Sequence, residues 1–454
     1  MSNSIYKLSI AAAFTIVTGG NVTAQTTRNL SMTEAIELSI KNSKELKLSN
    51  AKVDEAIANR HEMWNNHLPD LKLSATYLRL NSPTLDLKVK LPGSSSTDTT
   101  KTSGTSSGGK VESASYAMAT ATMPLFSGLR IKYGVESARF LEQAAKLDAE
   151  TDKEEVIQNT IYAYSNLYKS LKTIDLIKEN LKQQEQRVTD FSNLEKNGLI
   201  ARNDLLKVQL QQSNIELSLL DAQNNYNIAC INMNLMLGLP EDAQLIPDSS
   251  AFTKQYEEGT VVAWETSAMK NRKDFQSLSY KEKAAAAGVK ATKGEYYPGV
   301  ALTGGYIGAY VPNVLTLKDA LNIGVGLQYN VGAIWKTGAK VDVAKARLHQ
   351  VQATEELMAD RLHLQINQAY QNYILSRRKI DVYAKAIEQA NENYRITKNK
   401  YDNNLVNTTD LLDADVAQLQ AKLNYAFSKA DAVVAYKKLQ QASGTLLDDF
   451  QATR

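Results

Sequence analysis

The sequence predicts an α+β membrane protein built by internal duplication, in which each copy supplies two strands followed by a very long helical hairpin. Three observations lead there. The second half of the chain repeats the first, two long tracts are almost free of proline and glycine, and short segments before each tract alternate between apolar and small or polar residues.

The duplication is read by sliding the chain along itself. A shift of 229 positions lays Lys41-Asn42-Ser43-Lys44-Glu45 on Lys270-Asn271-Arg272-Lys273-Asp274, Pro69 on Pro298 and Tyr77 on Tyr306. Further along the shift becomes 206 and pairs Ala163-Tyr164 with Ala369-Tyr370, Asp204-Leu205-Leu206 with Asp410-Leu411-Leu412, and Gly238 with Gly444. Such units form pseudo-symmetric copies around a common core or axis. The difference, 229 less 206, is 23 extra residues in the first copy, and they fall in the polar low-complexity stretch from Ser94 to Gly109. That stretch has nothing to bury and reads as a loop.

Helices follow from what the tracts omit. All eight prolines avoid 125–239 and 313–454, no glycine lies between 339 and 443, and only Gly198 lies between 135 and 237. An interior proline costs a helix about 3 kcal/mol and a glycine about 1, so these tracts are free to be continuous. Tyr164, Leu167, Leu171, Ile174, Ile177 and Leu181 recur at three- and four-residue spacing, as in a coiled-coil seam. Each tract has one break, at Lys196-Asn197-Gly198 and at Asp402-Asn403-Asn404, residues that accept a left-handed turn. The expected arms are 131–196 with 203–237, and 340–402 with 408–443.

Strands are expected at about 70–80, 114–126, 298–310 and 320–333. The last alternates strictly, with Leu321, Ile323, Val325, Leu327, Tyr329 and Val331 on one face and Asn322, Gly324, Gly326, Gln328 and Asn330 on the other. A half-buried strand of a soluble protein has the same pattern. An exported chain with no apolar helix turns the balance toward an outer-membrane barrel. Residues 1–24 read as a signal peptide: Lys7, the apolar run Leu8 to Val17, and Val22-Thr23-Ala24 before the cut. Four strands per chain do not close a barrel, so an oligomer is required: a dimer makes eight strands with an interior that side chains fill, and a trimer makes twelve with room for a lumen. The predicted fold is thus a homotrimeric 12-stranded outer-membrane β-barrel continued by a coiled-coil periplasmic tunnel. Residues 25–238 form the first repeat, 239–262 a linker, 263–444 the second repeat and 445–454 a tail. The run from Gln209 to Asn225 is polar enough to line water or to face outward.

Other classes find little support. The chain carries 52 basic and 49 acidic residues, with no basic cluster for nucleic acid. The single cysteine, Cys230, reads as a small core residue. His61, His67, His349 and His363 lack metal-binding spacing, and Ser127 lacks a nucleophile-elbow context. No catalytic constellation, metal site or cofactor motif is visible. Trp335, beside Lys336 at a strand–helix junction, reads as a membrane-interface anchor.

In these respects the chain resembles the TolC-like outer membrane efflux protein family. The resemblance rests on both helix starts, both proline-led strands, Pro124-Leu125-Phe126-Ser127-Gly128 and both helical tips, and it spans essentially the whole mature chain. It implies a homotrimeric exit duct in outer-membrane lipid, docking with a periplasmic adaptor and an inner-membrane transporter. The alternatives are the outer-membrane channel of a type I protein secretion system and a structural periplasmic coiled-coil protein. By the resemblance, Asp410 and Asp413 occupy the positions that narrow the periplasmic aperture. Their i,i+3 spacing places both on one helix face, although an aspartate in a first turn is also favoured by the helix dipole. Lys207 and Val208 hold the corresponding stretch of the first copy, which makes the expected charge ring threefold. Asp204 and Tyr401 match residues that tie closed tips together. The family's arginine position is Val406 here, and Arg202 is a candidate substitute.

Overall fold

The computed structural model describes residues 27–81, 111–253, 259–312 and 315–448. The expected signal peptide and the polar loop from Ser94 to Gly109 lie outside the described residues. In chain order the elements are β1 (Thr27–Leu30), α1 (Met32–Asn42), α2 (Lys44–Asn65), β2 (Asp70–Arg79), β3 (Ser113–Ser127), α3 (Arg130–Lys196) and α4 (Arg202–Leu237). They continue with β4 (Gln244–Pro247), α5 (Val261–Asn271), α6 (Lys273–Lys293), β5 (Gly299–Val311), β6 (Leu315–Gln328), α7 (Ala333–Asp402) and α8 (Thr408–Ala442). The 67 residues of α3 and 70 of α7 give helices on the order of 100 Å long. Among the described residues no helix is long and apolar enough to cross a membrane.

The chain divides into two compact units that do not follow the repeat boundary. The first takes the described parts of Met1–Ser43, Asn159–Tyr256 and Ile374–Ala435, the second those of Lys44–Gln158, Glu257–Tyr373 and Tyr436–Arg454. Long helices explain the discrepancy, because α3, α7 and α8 each supply one stretch of themselves to each unit.

The first unit is organised around the seam of α3. Tyr164, Leu167, Ile174 and Ile177 are buried against Ile215, Tyr226, Cys230 and Met233 of α4 and Ala430 and Val433 of α8. The Tyr164 hydroxyl donates to the carbonyls of Leu30 at 2.8 Å and Asp248 at 3.1 Å. It thereby fastens the short parallel pair β1–β4, an element that alternation alone is too short to reveal. Gly238 ends α4 in the left-handed region at φ +68°, with its Cα over Asn42, whose Nδ2 donates to the Leu237 carbonyl at 2.6 Å.

The second unit repeats that clasp. Gly444, at φ +71°, ends α8 against the backbone of Asn271 and Arg272. Asn271 is the residue 229 positions after Asn42, so the sequence echo corresponds to a shared helix-termination contact.

The second unit also holds the antiparallel sheet, in the order β2-β3-β5-β6. Register assigns its faces. Leu73, Ala119, Tyr306 and Leu321 lie across from one another on one face, and Lys72, Thr120, Gly305 and Asn322 on the other. The apolar face is open: Leu73 is 87 % exposed, and Leu321 and Ile323 are each 81 % exposed. Two irregularities shape the sheet. The β3–β5 register shifts between Pro124 and Phe126, where proline has no N–H to give the ladder. In β6, Lys318 and Asp319 together oppose one residue of β5, a bulge with Asp319 at φ +57°. This bulge lets β6 begin at Leu315 instead of the expected 320. Tyr329 and Val331 leave the strand, because Asn330 turns the chain by accepting from the Gly332 N–H. Helix α7 then starts at Ala333 and absorbs Gly338, which a helix tolerates at a cost of about 1 kcal/mol.

Two changes test this packing. Gly198 and Gly444 share a left-handed φ, but a Cβ on Gly198 meets open space and one on Gly444 would come within 2.8 Å of the Arg272 nitrogen. Denaturant unfolding should therefore show Gly198→Ala costing about 1 kcal/mol and Gly444→Ala about 3. Glu154 on α3 is buried, with Oε1 unpartnered among the described residues. Burial, helped by Asp274 and Glu150 and opposed by Arg272 and Lys273, pushes its pKa up to about 7. The folded protein holds this proton where the unfolded chain has released it, so stability falls as pH rises from about 4.5 to about 7, by up to about 3 kcal/mol. In thermal melts Glu154→Gln should flatten that slope and raise the midpoint at pH 8; an unchanged slope would refute the assignment.

Candidate functional site

The hairpin tips of the first unit gather the candidate residues. α3 ends at Lys196, Gly198 turns the chain at φ +70°, and α4 starts at Arg202. α7 ends at Asp402, Asn404 turns it at φ +59°, and α8 starts at Thr408. A small apolar cluster of Phe191, Leu205 and Val208 fixes the first tip, with Tyr401 and Leu412 of the second packed against it. The rings of Phe191 and Tyr401 stack at 5.4 Å with planes 9° apart.

Asp410 and Asp413 are both exposed on α8. Asp410 also makes a reciprocal cap: its N–H donates to Asn407 Oδ1 at 2.9 Å, and its Oδ2 accepts from the Asn407 N–H at 3.3 Å. Asp413 has no ion pair among the described residues. The two aspartates therefore differ, one partly structural and the other free to act only through its charge.

The other tip residues do not form one cluster. Asp204 faces Lys207 at 3.4 Å on its own helix, and Arg202 faces Glu195 at 3.5 Å on its own hairpin. Burial raises the pKa of Tyr401, and the nearby charges of Asp204 and Asp402 add to that. The buried Thr408 lies beside Tyr401 and favours its ionised form. Val406 is half-buried. Asp204 and Tyr401 are thus neighbours without a direct hydrogen bond.

Deeper in the same unit lies a link between hairpins that residue type alone does not announce. Helices α3 and α8 face one another antiparallel through Lys169–Asp431, Glu179–Lys422 at 3.0 Å and Arg187–Asp415 at 3.1 Å. The first two pairs are exposed enough to contribute little. The third is buried, with side chains 9 % and 2 % exposed. Arg187 also donates to Gln184 Oε1 and to the Tyr394 hydroxyl, each at 2.8 Å, and Asn180 donates to Asp415 Oδ2 at 3.3 Å. The signal in the sequence is a lapse: the apolar seam of α3 is interrupted between Leu181 and Val188, yet Asn180, Gln184 and Arg187 keep its spacing.

In the second unit Trp335 is 67 % exposed on the first turn of α7. Trp64, also exposed, occupies the last turn of α2 just before β2. Among the described residues no group of His, Cys, Asp or Glu is arranged to hold a metal ion.

The sequence matches the Outer membrane efflux protein family over residues 35–239 and 264–445. Solved structures share the fold at low identity. The outer-membrane channel OprN is 17 % identical with a TM-score of 0.74, over 91 % of this chain and 90 % of that one. The Campylobacter jejuni CmeC outer membrane channel is 15 % identical with a TM-score of 0.75, over 91 % and 86 %. The outer membrane protein VceC from Vibrio cholerae is 16 % identical with a TM-score of 0.71, over 91 % and 96 %. No match was found among curated proteins. With both halves of its duplication matched, the chain belongs to the outer membrane efflux protein family, whose members are transport ducts of the bacterial outer membrane and not enzymes.

Proposed function

We propose that this chain is the outer-membrane exit duct of a tripartite efflux pump, conducting its cargo passively as a homotrimer. The observation that carries the reading is the four-stranded sheet with an apolar face, a polar or small face, and β2 and β6 at its edges, in a chain that also supplies two helical hairpins. Unpaired strand edges are excluded from lipid, so closure requires other copies. Three copies of four strands give twelve, enough for an aqueous lumen.

The helices support the same assembly. Leu206, Leu210, Leu217, Leu220, Ile228 and Leu235 of α4 are exposed at three- and four-residue spacing and its multiples. This is an apolar seam without a partner among the described residues, suited to a neighbouring protomer. Trp335 takes the role of anchor at the periplasmic membrane interface. Near the tip, α3 and α7 bound a groove of about 710 Å³ lined by Lys182, Asp190, Phe191, Tyr394 and Lys398. Its mixed charge and aromatic floor suit a periplasmic adaptor, which in turn connects to an inner-membrane transporter.

At the mouth, threefold repetition of Asp410 and Asp413 would form a ring of carboxylates that favours cations. In planar bilayers the full chain should give cation-selective current. Asp413→Asn should lower that selectivity without loss of stability. Asp410→Ala should lower it and also cost about 1 kcal/mol through loss of the cap. A protein that inserts but carries no current would refute the duct, and unchanged selectivity in Asp413→Asn would refute the aperture.

A further inference from the structure

We propose that the apolar face of the sheet carries a binding site for a bisphosphorylated, acylated lipid of the outer leaflet, at the end of the sheet remote from the helices. The proposal rests on the duct reading above, which sets this face in the membrane. The site is a cleft of about 610 Å³ within the second unit. By register Tyr77, Ser115 and Tyr310 form one row across that face, and Ala75, Ala117 and Gly308 form the next. The two tyrosines of the first row and Tyr306 wall the cleft, and the small residues of the second row make its floor. An acyl chain lies on such a floor with an aromatic ring at either side.

Charge identifies the headgroup. Lys318 lines the cleft and has no hydrogen bond or ion pair among the described residues. Its neighbour Asp319 is already engaged, accepting from the Tyr306 hydroxyl at 2.8 Å. Arg79, two residues beyond Tyr77 and so on the same face, is exposed and also lacks an ion pair among the described residues. The bulge of β6 makes this arrangement, because it brings two adjacent charged residues to a face where strict alternation allows one. A left-handed φ of +57° is unfavourable for a residue with a Cβ, and a cation on the lipid side is unfavourable unless it stays near the interface. An aromatic girdle on a flat sheet needs neither the recess nor the bulge. Phosphate supplies the partner that both cations lack. Lys318 on β6 and Arg79 on β2 stand three strand spacings apart, about 14 Å across the sheet, so a headgroup with two phosphates suits them better than one with a single phosphate.

The test titrates the full chain in detergent with lipid A, an acylated disaccharide bearing two phosphates, and follows binding by native mass spectrometry. The same preparations go into planar bilayers. Lipid A should bind saturably and about tenfold more tightly than its monophosphoryl form, the change expected from one charge-assisted hydrogen bond. Lys318→Gln and Arg79→Gln should each weaken lipid A about tenfold, and one of the two should no longer distinguish the two forms. Lys318→Arg should retain the affinity. A Cβ on Gly308 meets only the Leu317 carbonyl, at 4.0 Å, so Gly308→Leu has room to fill the cleft and should abolish saturable binding. If that variant does not fold, the two charge variants decide. Wild-type protein that conducts but binds no lipid A saturably, or binding that is unchanged in the folded variants, would overturn the site and leave the duct intact. If lipid A binds with this pattern while no preparation carries current, the duct reading fails and the site stands.

Discussion

Hydrogen bonding at the two edges of the four-stranded sheet is the constraint on which the remaining architecture depends. β2 and β6 each satisfy one side of their backbone against a neighbour in the chain and leave the other side open. In water such an edge is a risk; in lipid each unmet N–H or carbonyl costs several kcal/mol. The apolar face through Leu73, Tyr306 and Leu321 suits hydrocarbon, and the opposite face through Thr120, Gly305 and Asn322 suits water. A two-faced sheet with open edges has few stable solutions, and closure with further copies of itself satisfies the edges and both faces. The bulges at Pro124–Phe126 and Lys318–Asp319 add the local twist that a closing sheet needs.

Much of the fold was legible because it depends on omission and periodicity. Proline and glycine are missing where α3, α4, α7 and α8 run, and Gly198 and Asn404 take left-handed conformations at the breaks. The less legible parts are those where a local rule yields to its neighbours. The sequence places the start of this arm at 340, but α7 begins at Ala333 and runs through Gly338, because the cost of one glycine is small against a helix of 70 residues. Lys318 and Asp319 interrupt alternation, and only pairing with β5 shows the interruption to be a bulge inside a strand. β1 and β4 have four residues each, too few to display a period, and they are held by a tyrosine more than 80 residues away from either side of the clasp. The compact units cut across the repeat because long-range packing, which a linear comparison does not see, groups segments from both copies.

The site divides along the same line. Asp410 and Asp413 are visible in sequence because helical spacing alone puts them on one face. The cap that Asp410 makes with Asn407 is visible only once the start of α8 is fixed at Thr408. The Arg187–Asp415 pair is harder to see. Residue type points polar side chains toward solvent, and nothing in Asn180, Gln184 or Arg187 says that their face of α3 is covered. Their spacing says it, because they extend the register of Ile174, Ile177 and Leu181.

That register also shows a break in how the hairpins are held together. From Tyr164 to Ile177, α3 presents apolar side chains to its neighbours, and separating them would expose hydrocarbon to water with nothing to replace the lost contact. Between Leu181 and Val188 the same seam is polar, through Gln184 and Arg187, before Phe191 closes it again against Tyr401 and Leu412. Separation in that interval exchanges protein hydrogen bonds for water, a far smaller net change. Asp415 Oδ1 would even gain a partner. The hairpins are therefore held by apolar packing along the seam and again at the tip, with one polar interval between the two. The polar interval begins at the residue where leucine gives way to glutamine.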